Sequence, residues 1–285
     1  NRGIGFHTAL ALAKHNPSHI YISARNKSAS ESAINTIQSA VPSIKFTFLP
    51  CDLTDLSSVV QCAREFTSRE NRLDILFLNA GIMANQAATT AQGYEIQFGT
   101  NHVGHFLLTK LLLPTLEKTA QIPDTDVRII SVSSMGHALA PWSGIVFSEL
   151  RTNMSSWFTM RRYGQSKLAN ILFAKELASQ LIKKQSKILA VAVHPGIVRT
   201  DLYYSLEQWA IFGIFLKLLK NISSLFISPE EGAKTQLWAA TAQRALSDQN
   251  INSKEANGKV VNGEYYTPIG IAGQGNRNSR DEVLA

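Results

Sequence analysis

The sequence is poor in the features that mark several large classes of protein. Its 285 residues include two cysteines, Cys51 and Cys62, too few for a disulfide framework. Cys51 ends a predicted strand, so we expect it to be buried and inert, as in a reducing compartment. No apolar run reaches the roughly 18 residues of a membrane-spanning helix. Signal peptides, internal repeats, low-complexity tracts and interdomain linkers are not visible either.

Acidic residues are fewer than basic ones, and the formal net charge is +7. The chain has no zinc-ligand spacing and no aromatic-basic platform, so nucleic-acid binding is not expected. The charge excess fits a solvated surface on which a few cationic side chains hold cofactor phosphates. An apolar content of 45% suits one globular domain.

Short apolar strands alternate with helical patterns along the chain. The predicted strands are Ile20–Ala24, Phe46–Leu49, Ile75–Leu78, Val127–Val132 and Leu189–Val193. The predicted helices are Gly5–His15, Glu31–Ala40, Asp55–Glu70, Gly93–Lys118 and Tyr163–Lys184. This alternation predicts an α/β fold: a doubly wound (Rossmann) parallel sheet in three α/β/α layers. We assign 1–273 to this single domain, with a late strand near 259–267 closing one edge, and expect a mobile polar tail over 274–285.

Tyr163 and Lys167 are four residues apart, so on a helix they share one face. A free phenol titrates near ~10, too high for a base at neutral pH. A lysine ammonium one turn away stabilises the phenolate and lowers its pKa. The phenol can then give a proton to a carbonyl oxygen or take one from an alcohol, while a serine hydroxyl holds that oxygen. Alone, this short motif fits a surface helix pair equally well.

The order of further motifs along the chain decides between a proton-transferring pair and a surface helix pair. The motifs follow one another at Asn1–Gly5, Cys51–Leu53, Asn79–Gly81, Asn101–Gly104, Val132–Ser134, Tyr163–Lys167 and His194–Gly196. In this order, over nearly the whole chain, they resemble the short-chain dehydrogenases/reductases. The segments Asn101–Phe106 and Val132–His137 are similar to the branch that contains retinol-dehydrogenase-like enzymes.

The resemblance implies catalytic roles for four residues. Tyr163 would be the proton donor and acceptor, and Lys167 would lower its pKa and hold the nicotinamide ribose. Ser134 would bind the substrate oxygen; Ser133 is the alternative, although the spacing to Tyr163 favours the second serine. Asn101 would kink its helix and hold a water in a proton relay, unless it is simply an exposed helix residue.

The chain opens inside a glycine-rich loop. A dinucleotide fold normally begins with an apolar strand that runs into this loop. The family's pattern places a threonine and the first glycine before residue 1, so we expect a truncated start that lacks the central first strand. Free N–H groups at a helix start attract a pyrophosphate. The predicted cradle consists of Arg2, Gly3, Ile4 and Gly5.

Arg25 stands where an NAD enzyme would carry an acid for the ribose 2′-hydroxyl. Together with Arg2 it could clamp a 2′-phosphate, so NADP is predicted rather than NAD, unless Arg25 is an exposed loop residue. The resemblance places the other cofactor contacts at Asp52, Leu53, Asn79, Ala80, Gly81, Tyr163, Lys167, Pro195, Gly196 and Thr200. Asp52 could instead cap the helix that begins near Asp55.

The predicted substrate contacts are Ser134, His137, Tyr203 and Trp209, although His137 could equally be a plain loop residue. Apolar residues over 208–219 repeat at helical spacing but are too few to span a bilayer. Within the region of about 200–228 they could form a substrate lid, an oligomer contact, a helix in a membrane interface, or core. His102 and His105 have no evident ligand partners, so no metal is predicted.

The predicted function is NADP-dependent interconversion of a carbonyl and an alcohol on an apolar lipid-, steroid-, retinoid- or polyketide-like molecule. A non-catalytic binding or regulatory protein of the same fold is the first alternative. A hydrolase is disfavoured because no Gly-x-Ser-x-Gly elbow surrounds Ser134. We expect a cytoplasmic protein, or one peripheral to an organelle or membrane, which could form homo-oligomers.

Overall fold

Helices and strands alternate from the start of the chain. The computed structural model describes residues 1–200, 226–245, 258–273, 275–281 and 284. Its main elements are α1 Gly3–Ala13, β1 Ile20–Ala24, α2 Lys27–Ala40, β2 Phe46–Pro50, α3 Leu56–Arg69, β3 Ile75–Leu78, α4 Ile96–Phe98, α5 Gly104–Ala120, β4 Arg128–Val132, α6 Thr159–Lys183, β5 Leu189–Val193, α7 Pro229–Thr241, β6 Tyr265–Thr267 and β7 Ile271–Ala272. The predicted α/β class is confirmed.

The strands pair in parallel, apart from one antiparallel pair at the edge. β1 pairs with β2, and the larger sheet has the order β3-β4-β5-β6-β7. β7 runs antiparallel to β6 and forms the edge, so the prediction that the late strand closes the sheet is wrong. That strand is also shorter than predicted, because Val260 makes only an isolated bridge with Arg244.

No ladder joins β1 to β3 within the part of the chain that the structure describes. The side chains of β3 reflect its open edge, since Ile75, Leu76 and Phe77 are only half-buried. In contrast, every residue of β4 and β5 is buried.

Helices cover both faces of the strands, which confirms the three-layer prediction. α3, α5 and α6 share a core with the strands around Leu78, Leu116 and Ile129. On the other face, α1 and α2 pack against β1 and β2, and α7 packs against β4 and β5. Among the described residues, no helix is both long enough and apolar enough to span a bilayer.

Side-chain caps set the starts of two helices. Asn26 Oδ1 accepts a hydrogen bond from the Ala29 N–H at 2.9 Å, so α2 begins four residues before its predicted start. The Asp55 carboxylate accepts from the Ser57 N–H at 2.9 Å and caps α3. The Asp52 carboxylate instead accepts from Thr54, so the alternative in which Asp52 caps this helix is wrong.

The helix predicted over 93–118 is divided. Its first turn, α4, begins only at Ile96, because the Glu95 carboxylate accepts from the Phe98 N–H at 2.7 Å. A five-residue π-helical segment, Gly99–Val103, then leads into α5. Asn101 lies in the middle of this π segment.

The described part of the tail contacts the domain. The Asn278 side chain donates to the carbonyls of Pro141 and Trp142 at 3.4 and 3.3 Å. Ser279 is buried within a short 3₁₀ turn. The predicted mobility of this tail stays a prediction.

The first testable prediction concerns Arg128, which is 2% exposed and donates to the carbonyls of Ala239 and Ala242 near the end of α7. Arg128→Met leaves these acceptors unpaired, so we expect a loss of about 3 kcal/mol in the free energy of unfolding. Arg72→Met is the control, because the Arg72–Asp74 pair is exposed, and should cost less than about 1 kcal/mol. Urea denaturation measures both values, and equal losses would contradict this role of Arg128.

Candidate active site

Helix α6 carries the two residues of the Tyr-x-x-x-Lys motif. It begins at Thr159, four residues before the predicted start. Tyr163 and Lys167 are 3% and 4% exposed, and Lys167 Nζ lies 5.8 Å from the centroid of the Tyr163 ring. Lys167 Nζ also donates to the Val132 carbonyl at 3.0 Å. The pair is therefore part of the buried surface of α6 and is not a surface helix pair.

Burial changes the acidity of the lysine. The charged ammonium is disfavoured in an environment that excludes water. Burial therefore lowers the pKa of Lys167 to about 8. At neutral pH the ammonium is retained, and it can stabilise a phenolate nearby.

The two serines after β4 have different surroundings. Ser133 is buried and donates to the Lys167 carbonyl at 2.6 Å. Ser134 is half-buried and accepts from the Gly136 N–H at 3.0 Å. A Cβ atom on Gly136 would lie 2.8 Å from Tyr163 Cε1 and 3.3 Å from Ser134 Oγ, so the tyrosine ring and this hydroxyl flank the same glycine. The geometry favours Ser134 over Ser133 as the hydroxyl that can bind a substrate.

Asn101 is buried, so the alternative in which it is an exposed helix residue is wrong. Its side chain accepts from the Ile82 N–H at 2.8 Å and donates to the Ile82 carbonyl and to Ser166 Oγ, both at 2.9 Å. A Cβ atom on Gly81 would lie 3.1 Å from Asn101 Oδ1 and 3.4 Å from Lys167 Nζ. Asn101 therefore joins the segment after β3 to α6, beside the lysine.

The two histidines that follow Asn101 have separate partners. His105 Nδ1 lies 3.0 Å from the Asn101 carbonyl oxygen, and burial lowers the pKa of His105 to about 3. His102 Nδ1 lies 3.3 Å from Asn170 Oδ1, and burial lowers the pKa of His102 to about 4. Both rings are therefore neutral at physiological pH. In the described ranges, no three His, Cys, Asp or Glu side chains gather as a metal site would require.

The start of α1 packs against residues that follow two later strands. Gly3 has a φ of +54°, which side chains rarely tolerate, and a Cβ atom there would lie 3.2 Å from Thr200 Cγ2. A Cβ atom on Gly5 would lie 2.9 Å from Asn79 Nδ2. The N-cap residue Arg2 makes no side-chain cap hydrogen bond, so its side chain does not occupy the first-turn N–H groups of α1. These features suit a pyrophosphate, which needs close backbone approach and free amides.

Apart from Ile4, which lies in α1, the remaining predicted cofactor residues also follow the carboxyl ends of parallel strands, which meet at one edge of such a sheet. Arg25 is exposed just after β1. Leu53 lies against α5, since a Cβ atom on Gly104 would come within 2.8 Å of its carbonyl oxygen. Of the others, Asp52 and Gly81 are half-buried, Ala80 is exposed and Pro195 is buried. Gly196 has a φ of +95°. Ile4 lies near Gly232.

His137 is buried, with both ring nitrogens engaged. Nδ1 lies 2.7 Å from the Ser134 carbonyl oxygen, and Nε2 accepts from the Asn276 N–H at 3.3 Å. Its ring meets the edge of Tyr265 at 5.2 Å between centroids. These contacts match those of a structural loop residue. The predicted substrate residues Tyr203 and Trp209, and most of the predicted lid, lie outside the described residues.

Tyr265 is a residue that sequence reasoning missed. It is buried on β6, its hydroxyl has no hydrogen-bond partner among the residues that the structure describes, and burial, reinforced by Tyr163, raises its pKa. The available signal was two adjacent tyrosines, Tyr265 and Tyr266, in the late strand. The Tyr163 phenol is therefore near enough to influence the acidity of a second phenol.

Three comparisons with known proteins agree with this geometry. The family model described as short chain dehydrogenase matches residues 1–211. An "Uncharacterized oxidoreductase" of Schizosaccharomyces pombe is 39% identical over 95% of this chain and 75% of its own length. "Retinol dehydrogenase 11" of Mus musculus is 36% identical over 85% and 71%. The solved NADPH-bound carbonyl reductase from chicken fatty liver shares the fold, with a TM-score of 0.63, 22% identity and coverage of 93% and 92%.

The second prediction is that Lys167 titrates near pH 8 in the cofactor-free protein. Its folded pKa lies below the unfolded value of 10.5, so the unfolded chain binds more protons between these two values. The cost of burying the ammonium is thus fully present below about 8 and is relieved as the pH rises towards 10.5. NMR of ¹³Cε-labelled lysine measures the pKa, and Lys167→Met identifies the signal. A midpoint at the unfolded value would contradict the prediction.

Proposed function

Because this chain belongs to the short-chain dehydrogenase family, we propose that it is an NADP-dependent oxidoreductase that interconverts a carbonyl and an alcohol on an apolar small molecule. One observation carries the proposal: a phenol, a serine hydroxyl and a buried ammonium converge beside the ends of β3 and β4. Tyr163 and Ser134 flank Gly136, and Lys167 Nζ lies next to Gly81. An active site that moves a proton at a carbonyl oxygen needs these groups and no metal.

The proposed mechanism divides the work among these side chains. The bound nicotinamide cofactor would supply the hydride. In the reducing direction, Tyr163 gives its phenolic proton to the substrate oxygen, which the Ser134 hydroxyl holds by donating a hydrogen bond. The Lys167 ammonium stabilises the phenolate that remains. In the oxidising direction, the phenolate takes the proton from the alcohol.

The cofactor proposal rests on the start of α1 and on two arginines. The glycine conformation at Gly3 and the uncapped first turn of α1 suit the pyrophosphate. Arg2 and Arg25 would bind the 2′-phosphate through charge-assisted hydrogen bonds, which an NAD enzyme would not need. The fold shared with a carbonyl reductase that binds NADPH is compatible with this preference.

An apolar substrate is supported by the surroundings of the phenol. Met83, Ala84, Met160 and Phe226 pack together with Tyr163. Similarity to a protein named for retinol, an apolar alcohol, points in the same direction. The predicted membrane contact, homo-oligomer and location in the cell stay predictions.

The third prediction tests the proton donor. Tyr163→Phe removes the acidic hydroxyl and should lower kcat by about 10²–10⁴-fold, while the NADPH Kd stays the same. Steady-state turnover of apolar aldehydes and ketones, with NADPH fluorescence titration, measures both quantities. Tyr94→Phe is the control, because that hydroxyl accepts from the exposed Arg151 at 2.9 Å, and should keep wild-type turnover. A Tyr163→Phe variant with most of its kcat would refute the assignment.

The fourth prediction tests the cofactor preference. Arg25→Asp should weaken NADPH binding by about 10–100-fold, because charge-assisted hydrogen bonds to the 2′-phosphate are lost, and should change NADH binding little. Lys27→Asp, at an exposed position two residues later, is the matched control and should affect neither. Fluorescence titration with both cofactors measures the effect. Equal losses for NADPH and NADH would mean that Arg25 is structural.

A further inference from the structure

A buried ion pair joins the start of α6 to the loop after β3. Glu95 and Arg162 are 0% and 3% exposed, and Arg162 Nη1 lies 2.9 Å from Glu95 Oε1. Arg162 Nη2 donates to the Asn85 carbonyl at 2.9 Å. Thr159 Oγ1 donates to the same carbonyl at 3.1 Å. Two residues of the first turn of α6 therefore hold one peptide group of the loop.

Gln97 makes a second connection between the same two segments. Its side chain is fully buried, and Oε1 accepts from the Ala84 N–H at 3.0 Å. Nε2 donates to the Thr159 carbonyl at 3.1 Å and to Thr159 Oγ1 at 3.2 Å. One amide thus spans the distance between the loop and α6. Together with the ion pair it fixes two successive loop residues, Ala84 and Asn85.

The loop held in this way has a strained backbone, and its side chains pack against Tyr163. Ala84 has a φ of +58°, a conformation that residues other than glycine adopt only when their surroundings impose it. Its side chain is buried with those of Met83, Met160 and Tyr163. Without the hydrogen bond that the Ala84 N–H donates to Gln97, Ala84 would relax towards a common backbone conformation, and the loop would move relative to Tyr163.

We infer that Glu95, Gln97 and Arg162 are positioning residues that hold the Met83–Asn85 loop against Tyr163, so that the substrate oxygen meets the phenol at the productive distance. This inference rests on the proposed function, since the three residues act through Tyr163. A buried ion pair is a poor source of stability, because desolvating both charges offsets their attraction. The pair contributes geometry, which well-packed apolar residues cannot reproduce.

The test separates geometry from stability. In the double variant E95M/R162M, apolar side chains replace the buried pair, which is often neutral or stabilising. The hydrogen bond from Arg162 to the Asn85 carbonyl is nevertheless lost, and only the one from Thr159 Oγ1 remains. We expect kcat for an apolar aldehyde to fall by about 100-fold, as a misplacement of about 1 Å would cause. The NADPH Kd should not change. Arg162→Lys, which keeps a cation opposite Glu95, should recover part of the kcat.

R128M is the matched control, because it also removes a buried arginine but lies outside the site. Its kcat should equal that of the wild type although it unfolds more easily. Should the double variant fail to fold, Q97M removes the second connection without disturbing a charge and should also lower kcat. A folded E95M/R162M or Q97M variant with wild-type kcat would overturn the positioning role.

Hydrogen exchange at the Ala84 amide adds a readout that does not depend on turnover. Exchange should be faster in E95M/R162M and Q97M than in R128M, and equal exchange in all three would overturn the inference. Wild-type protein that reduces no apolar aldehyde or ketone with NADPH would instead overturn the proposed function. The exchange experiment would still decide whether the loop is tethered.

Discussion

The attachment of α6 to the end of β4 is the interaction on which the candidate site depends. Lys167 Nζ and Asn170 Nδ2 both donate to the Val132 carbonyl, at 3.0 and 3.2 Å, and Ser133 Oγ donates back to the Lys167 carbonyl. Two of these hydrogen bonds are donated by α6 to the strand, and one is donated by the residue after the strand to α6. Together they fix the position of the helix along the strand and its rotation about its own axis. Tyr163 is one turn earlier on the same helix, so its position follows from bonds made by its neighbours.

The sequence predicted best those features of the fold that depend on residues adjacent in the chain. Ile20–Ala24, Ile75–Leu78 and Leu189–Val193 are strands with the predicted bounds, because short, largely apolar runs are typical of the strands of a parallel sheet. The predicted start of the helix over 93–118 was wrong, because the Glu95 carboxylate caps the turn that begins at Ile96. Glu95 pairs with Arg162, far along the chain, and no local pattern shows that this carboxylate is buried.

The same distinction holds for the candidate site. Tyr163 and Lys167 were predictable, because four residues of spacing on a helix place them on one face. Ser133 and Ser134 are adjacent, and only the contact with α6 shows that one hydroxyl is used to hold a helix. Tyr265 comes from a strand about a hundred residues later, and its proximity to Tyr163 follows from the order of strands in the sheet.

The π-helical segment Gly99–Val103 limits changes in the length of the chain. A π turn holds more residues than an α turn, so one deletion here would tighten the segment towards α geometry and shift Asn101 relative to Gly104. Gly104, which follows the segment, packs closely against Leu53. Asn101, within the segment, accepts a hydrogen bond from the Ile82 N–H. If Asn101 shifts relative to Gly104, at least one of these two contacts is lost. This stretch can therefore accept some exchanges of side chain, but neither an insertion nor a deletion.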